Sequence, residues 1–218
     1  MSRIYHYSFL IIHWIIFYCL RLNIIFLKKK KRNNNSNDRV SIALLPHYPE
    51  LWPGGDRLAT WNSDFKNQGW DSTIYNAWNT KEIKSYLKNN KINNTFGKYI
   101  MYFKLLLRRS LIFNQLLSKD IIWIQRNMIP LFPFKKPYYE RLLGKYHNNV
   151  IYDYYDADYE SNFNLVSETI KIANKVTVAS KYLESYHSQN NNNVFFLRYC
   201  IDDTKYIEKK GPNQDIIR

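Results

Sequence analysis

Residues 149–197 read NVIYDYYDADYESNFNLVSETIKIANKVTVASKYLESYHSQNNNNVFFL, short apolar runs alternating with amphipathic ones. Residues 149–154, 175–179 and 194–197 have the length and apolar continuity of strands buried on both faces. Between them, residues 160–174 and 180–189 carry helical spacing. Strand, helix and strand in that order make right-handed βαβ units and a parallel sheet. The alternation extends upstream. Residues 40–45 (VSIALL) form a first strand, residues 56–69 a helix closed by Gly69, and residues 72–77 a second strand. A short helix capped near Thr80 runs through Leu87. Residues 96–117 form a long apolar helix whose Lys98, Lys104, Arg108 and Arg109 argue for packing on a sheet rather than a membrane span. Residues 120–125 form a third strand, followed by a loop with Pro130, Pro133 and Pro137 and a helix at 138–146. The expected class is α/β: a parallel sheet of six strands covered by helices on both faces.

Composition agrees. Of 218 residues, 45% are apolar and 17% aromatic, which excludes a disordered chain. Six glycines and seven prolines exclude collagen-like and Gly/Ser-linker architectures. The two cysteines, Cys19 and Cys200, exclude a disulfide framework or a Cys-based zinc ribbon and suit a reducing compartment.

The net charge of +14 is uneven. Arg3, Arg21, Lys28, Lys29, Lys30, Lys31 and Arg32 put half of it in the first 32 residues, with no carboxylate among them. Residues 4–27 (IYHYSFLIIHWIIFYCLRLNIIFL) are long and apolar enough to span a bilayer, though His6, His13, Arg21 and Asn23 interrupt them. Trp14 and the tyrosines also suit a helix in the interface plane. The KKKKR cluster that follows belongs on the cytoplasmic side and attracts anionic lipid. The expectation is a membrane-type helix and linker over 1–37, with residues 4–32 on the membrane and the body, 38–206, facing the cytosol.

Ligands of open parallel sheets bind beyond the carboxyl ends of the strands. Gly54 and Gly55 follow the first strand and precede a helix, so backbone N–H groups there suit a phosphate. They make neither G-x-G-x-x-G nor a Walker loop, which counts against a simple NAD or ATP site. Asp153, Asp156 and Asp158, in YDYYDADY, offer carboxylates for acid–base work, a hard cation or sugar hydroxyls. Arg126 follows DIIWIQ and suits a phosphate or one of those aspartates. His47 is the histidine best placed as a general base, and Asp202 follows the last strand. No H-E-x-x-H, G-x-S-x-G or Cys/His pairing suggests hydrolysis.

Five segments, in order, carry a resemblance: IALLPHYPELWPGGDRLATW, IIWIQRNMIPLFPFKKPYYERLL, NVIYDYYDADY, ANKVTVASKYLESY and NVFFLRYCIDD. Together they resemble the N-terminal half of GT-B glycosyltransferases, in particular the GT4-like (glycosyl transferases group 1) family. The matching features are Gly54-Gly55, Gln125-Arg126, Glu140-Arg141, Asp153 with Asp156-Ala157, the stretch 176–183, and Ile201-Asp202. Tyr155 departs from the pattern, standing where the first of two paired aspartates is usual.

The resemblance implies a Rossmann-like, acceptor-side domain of an enzyme moving sugar from a nucleotide-sugar donor to a lipid-linked or polysaccharide acceptor. His47 and Asp156 are then the catalytic candidates. Gly54, Gly55, Arg126, Asp153, Asp158 and Asp202 are the substrate-binding candidates, with no metal and no cofactor beyond the donor. The family's second domain is not among these residues, so 207–218 reads as a linker and the start of another domain, and the chain alone is expected to be inactive. Two other readings stay open: a nucleotide-dependent Rossmann enzyme of another class, or a basic module that binds membrane or nucleic acid without catalysis.

Overall fold

A computed structural model describes residues 2–28, 39–49, 56–90 and 95–198. Gly54, Gly55, Asp202 and the segment 207–218 lie outside the described residues. The helices are α1 (Ser2–Lys28), α2 (Asp56–Asn67), α3 (Thr80–Asn90), α4 (Thr95–Leu117), α5 (Tyr138–Tyr146), α6 (Asp158–Ile172) and α7 (Lys181–Ser188). The strands are β1 (Ser41–Leu45), β2 (Asp71–Ile74), β3 (Ile121–Gln125), β4 (Val150–Tyr154), β5 (Lys175–Val178) and β6 (Val194–Phe196).

The six strands form one all-parallel sheet in the order β2-β1-β3-β4-β5-β6. The chain leaves β1 toward β2, then crosses back to β3 and continues away. That reversal puts the topological switch point between β1 and β3, where the loops that follow part to opposite sides and open a crevice. The fold is Rossmann-like α/β.

Strand residues alternate between two cores, as the pleat requires. Ile42, Leu44 and Trp123 pack with Leu58, Trp61, Phe65 and Trp70, so α2 covers one face over β1–β3. Ala43, Leu45, Ile122, Ile124, Tyr152, Tyr154, Val176 and Val178 face the other way, into a larger core completed by α1 and α3–α7. Helices thus cover both faces, one more heavily than the other. On the thinner side beyond α2, Lys175 and Phe195 remain exposed among the described residues.

Element limits differ from the sequence reading most plainly at β2 and α6. The second strand ends at Ile74 rather than at residue 77, because the carbonyls of Tyr75 and Ala77 are taken by the guanidiniums of Arg109 (2.6 Å) and Arg108 (3.0 Å) from α4. Helix α3 is capped next to Thr80, by Asn79. Asn79 Oδ1 accepts from the Glu82 amide (3.0 Å) and Glu82 Oε2 from the Asn79 amide (2.9 Å), a reciprocal capping box. Helix α6 begins at Asp158, two residues early, and kinks at Asn162 (φ −140°, ψ 49°).

Within α1, Tyr7–Phe26 is long and apolar enough to cross a membrane. One stripe of it, including Phe9, Leu20 and Ile24, is buried in the larger core, and α1 packs along α4.

Candidate functional site

The end of β1 is tied down before any ligand is considered. Arg109, fully buried, donates to the Pro46 carbonyl (3.0 Å) as well as to that of Tyr75. The His47 amide donates to Oε1 of the buried Gln125 at the end of β3 (2.9 Å), and the His47 carbonyl accepts from Trp78 Nε1 (2.8 Å). Gln125 thus ties the two strands across the switch point and fixes the histidine backbone. The ring packs edge-on against Tyr48 at 4.7 Å. Burial, with the charges of Arg126 and Arg109, pushes the His47 pKa down to about 3. At neutral pH the imidazole is uncharged.

Arg126, the first residue past β3, adopts φ 62°, and Leu131 in the same loop adopts φ 61°. Left-handed backbone at such side chains costs of order 1–3 kcal/mol and concentrates at functional sites. The loop is pinned from behind by Glu140 of α5, a buried carboxylate that accepts from the Met128 amide (2.9 Å). The Arg126 guanidinium pairs with Asp156, its Nε lies 3.2 Å from Asp158 Oδ2, and it sits over the rings of Tyr155 (4.7 Å) and Tyr48 (5.6 Å). Tyr155 supplies an aromatic face to this cation. Asp158 opens α6, where the helix N-terminus favours negative charge. Burial nevertheless raises its pKa to about 6; Arg126 opposes that rise and Asp156 and Asp153 add to it.

These side chains surround a cleft of about 170 Å³ lined by His47, Arg126, Asn127, Leu131, Phe132, Tyr154, Asp158, Ser161, Asn162 and Val166. His47 Nδ1 and Asn127 Oδ1 are buried there without hydrogen-bond partners among the described residues. Buried polar atoms are rarely left unpaired. Two of them around one opening mark a place for a polar ligand.

Asp153 lies elsewhere. Strand alternation turns it to the α2 face, where it is fully buried. Its oxygens accept from Arg57 Nε (2.8 Å), Arg57 Nη2 (3.0 Å) and Thr177 Oγ1 (2.7 Å), and Arg57 also donates to the Leu197 carbonyl (3.0 Å). It clamps α2, β4, β5 and the end of β6 together. The structure therefore unites His47, Arg126, Asp156 and Asp158, and separates Asp153 from them. Asp156 is the outermost, more than half exposed and engaged by Arg126. No group of three His, Cys, Asp or Glu side chains able to hold a metal occurs among the described residues.

No family model, curated protein or solved structure matches this chain.

Sequence reasoning missed Gln125 as the support of His47, Tyr48 and Tyr155 as the faces around Arg126, and Asn127 and Ser161 in the lining. Gln125 had a signal, a polar side chain closing an otherwise apolar strand. The tyrosines had none, because each acts through a partner distant in sequence.

Proposed function

We propose that this chain is the acceptor-binding half of a GT-B-type glycosyltransferase, which moves a sugar from a nucleotide-sugar donor to a glycan or lipid-linked acceptor. The observation that carries the reading is the joining of Arg126, Asp158 and neutral His47 around one polar cleft beside the β1/β3 switch point. Sugar hydroxyls are both donors and acceptors, and this lining offers both: guanidinium and amide donors, and carboxylate and imidazole acceptors. Asp158, with a pKa near 6, is the group best matched to take the proton of an attacking hydroxyl near neutral pH. The hydroxyl oxygen then bonds to the anomeric carbon as the nucleoside diphosphate leaves. His47, with its pKa near 3, and Asp156, spent on Arg126, orient rather than deprotonate. Arg126 keeps Asp158 ionisable and in place.

The test is binding by the ¹⁵N-labelled chain in detergent micelles. Monosaccharides and disaccharides at millimolar concentration should shift the backbone amides of His47, Arg126 and Asp158, and Arg126→Ala should abolish those shifts. Shifts with UDP or ATP alone, and none with any sugar, would replace this reading by a nucleotide-dependent enzyme of another class.

A further inference from the structure

Helix α1 has two apolar sides with different fates. Its inner stripe is docked: His13 Nδ1 and Tyr102 Oη of α4 are 2.8 Å apart, and the Phe9 ring lies 4.5 Å from Tyr99 and 5.1 Å from Phe103. From Phe9 to Ile24 the buried stripe runs roughly 22 Å along the body at about 1.5 Å per residue. On the outer side Tyr7, Ile11, Ile15, Tyr18, Leu22 and Phe26 recur every three or four residues, each more than half exposed. Exposed apolar surface of this extent marks an interaction site.

Two arguments identify what covers it. A spanning helix meets lipid around its whole circumference across a core about 30 Å thick. For α1 to span while docked, α4 would enter the hydrocarbon with Lys104, Arg108 and their partner Glu82, which is costly. Spanning thus requires α1 to strip away from its buried stripe and the His13–Tyr102 hydrogen bond. Lying flat requires neither. The charge beside the helix is complementary to one kind of surface: the first 32 residues hold seven cationic side chains, five of them consecutive from Lys28 to Arg32, and no carboxylate. Such clusters bind anionic lipid headgroups.

We infer that α1 stays docked on the domain and lies in the plane of an anionic bilayer, its outer face among the acyl chains, making the protein monotopic. The helix also touches the rim of the cleft, since Phe134 lies 4.3 Å and the cleft-lining Phe132 6.3 Å from the His13 ring. The inference is independent of sugar transfer.

The experiment places nitroxides on the full-length protein, in a Cys19→Ser/Cys200→Ser background, at Ile11→Cys, Ile15→Cys and Leu22→Cys, one at a time. Spin-label depth is then read on phosphatidylglycerol/phosphatidylcholine vesicles. A flat docked helix puts all three labels at one shallow depth, within a few ångströms. A spanning helix puts residues 11 and 22 about 16 Å apart in depth at about 1.5 Å per residue and overturns the inference. So does protein that stays off the vesicles, whether as a monomer or as a dimer that hides these positions. A second variant, Ile15→Glu, lies on the outer face and leaves the docked stripe intact. It should weaken vesicle binding about tenfold, the factor for withdrawing one large apolar side chain from lipid. Undiminished binding by Ile15→Glu would also overturn the inference.

Discussion

Replacing Asp153 by alanine is expected to cost stability without touching the cleft. The carboxylate is fully buried and accepts three hydrogen bonds, two from Arg57 and one from Thr177. Its loss removes the countercharge from a guanidinium that is itself buried and that also donates to the Leu197 carbonyl. Breaking one side of such a pair costs about 3–5 kcal/mol, because the surviving charge has no water to return to. With a urea dependence of about 2 kcal/mol per molar, the unfolding midpoint should fall by roughly 1.5–2.5 M. The assay is urea unfolding followed by far-ultraviolet circular dichroism. The double variant Arg57→Met/Asp153→Leu removes both charges and should recover most of the loss. Sugar-induced shifts at His47 and Asp158 should survive in both proteins. A midpoint shift below about 0.5 M would refute the clamp, and loss of sugar binding in a folded Asp153→Ala protein would return this residue to the site.

Asp158 has a folded pKa of about 6, above its unfolded value, so the folded state holds its proton more tightly. Stability should therefore decline as pH rises from about 4 to about 6, and Asp158→Asn should flatten that part of a urea-midpoint profile. Sugar transfer by an active assembly containing this chain should rise between about pH 5 and about pH 7, as the folded carboxyl ionises around its pKa of about 6. His47 should show no protonation of its ring between pH 5 and 8 by ¹H–¹⁵N spectroscopy. Arg126→Ala removes one of the charges that depress it and should move its pKa upward.

The fold was largely legible because strands in a parallel sheet are buried on both faces and announce themselves as apolar runs; all six lie within three residues of where the runs place them. The error at β2 came from α4. Nothing near Tyr75 or Ala77 shows that two arginines, more than 30 residues on, will take their carbonyls. Asp153 was misgrouped for a different reason. Proximity in YDYYDADY suggested one acidic cluster, whereas the two-residue period of the strand already set Asp153 against Tyr152 and Tyr154. The cleft's cationic centre was legible as Arg126 after a strand. Its left-handed backbone, the depressed His47 and the elevated Asp158 depend on burial by segments remote in sequence.

The thin side of the sheet also gives the protein an optical signature. Trp61, Trp70 and Trp123 gather with α2, the indoles of Trp61 and Trp123 lying 6.4 Å apart and that of Trp70 stacked on Phe65 at 4.9 Å. Trp78 belongs to the opposite core, and Trp14 sits on α1 with its ring 4.9 Å from Tyr138. Coupled indoles at this spacing give paired near-ultraviolet bands that vanish when α2 lifts from the sheet. The loosening of α2 can thus be followed in an unlabelled sample by near-ultraviolet circular dichroism, apart from the loss of helix read in the far ultraviolet.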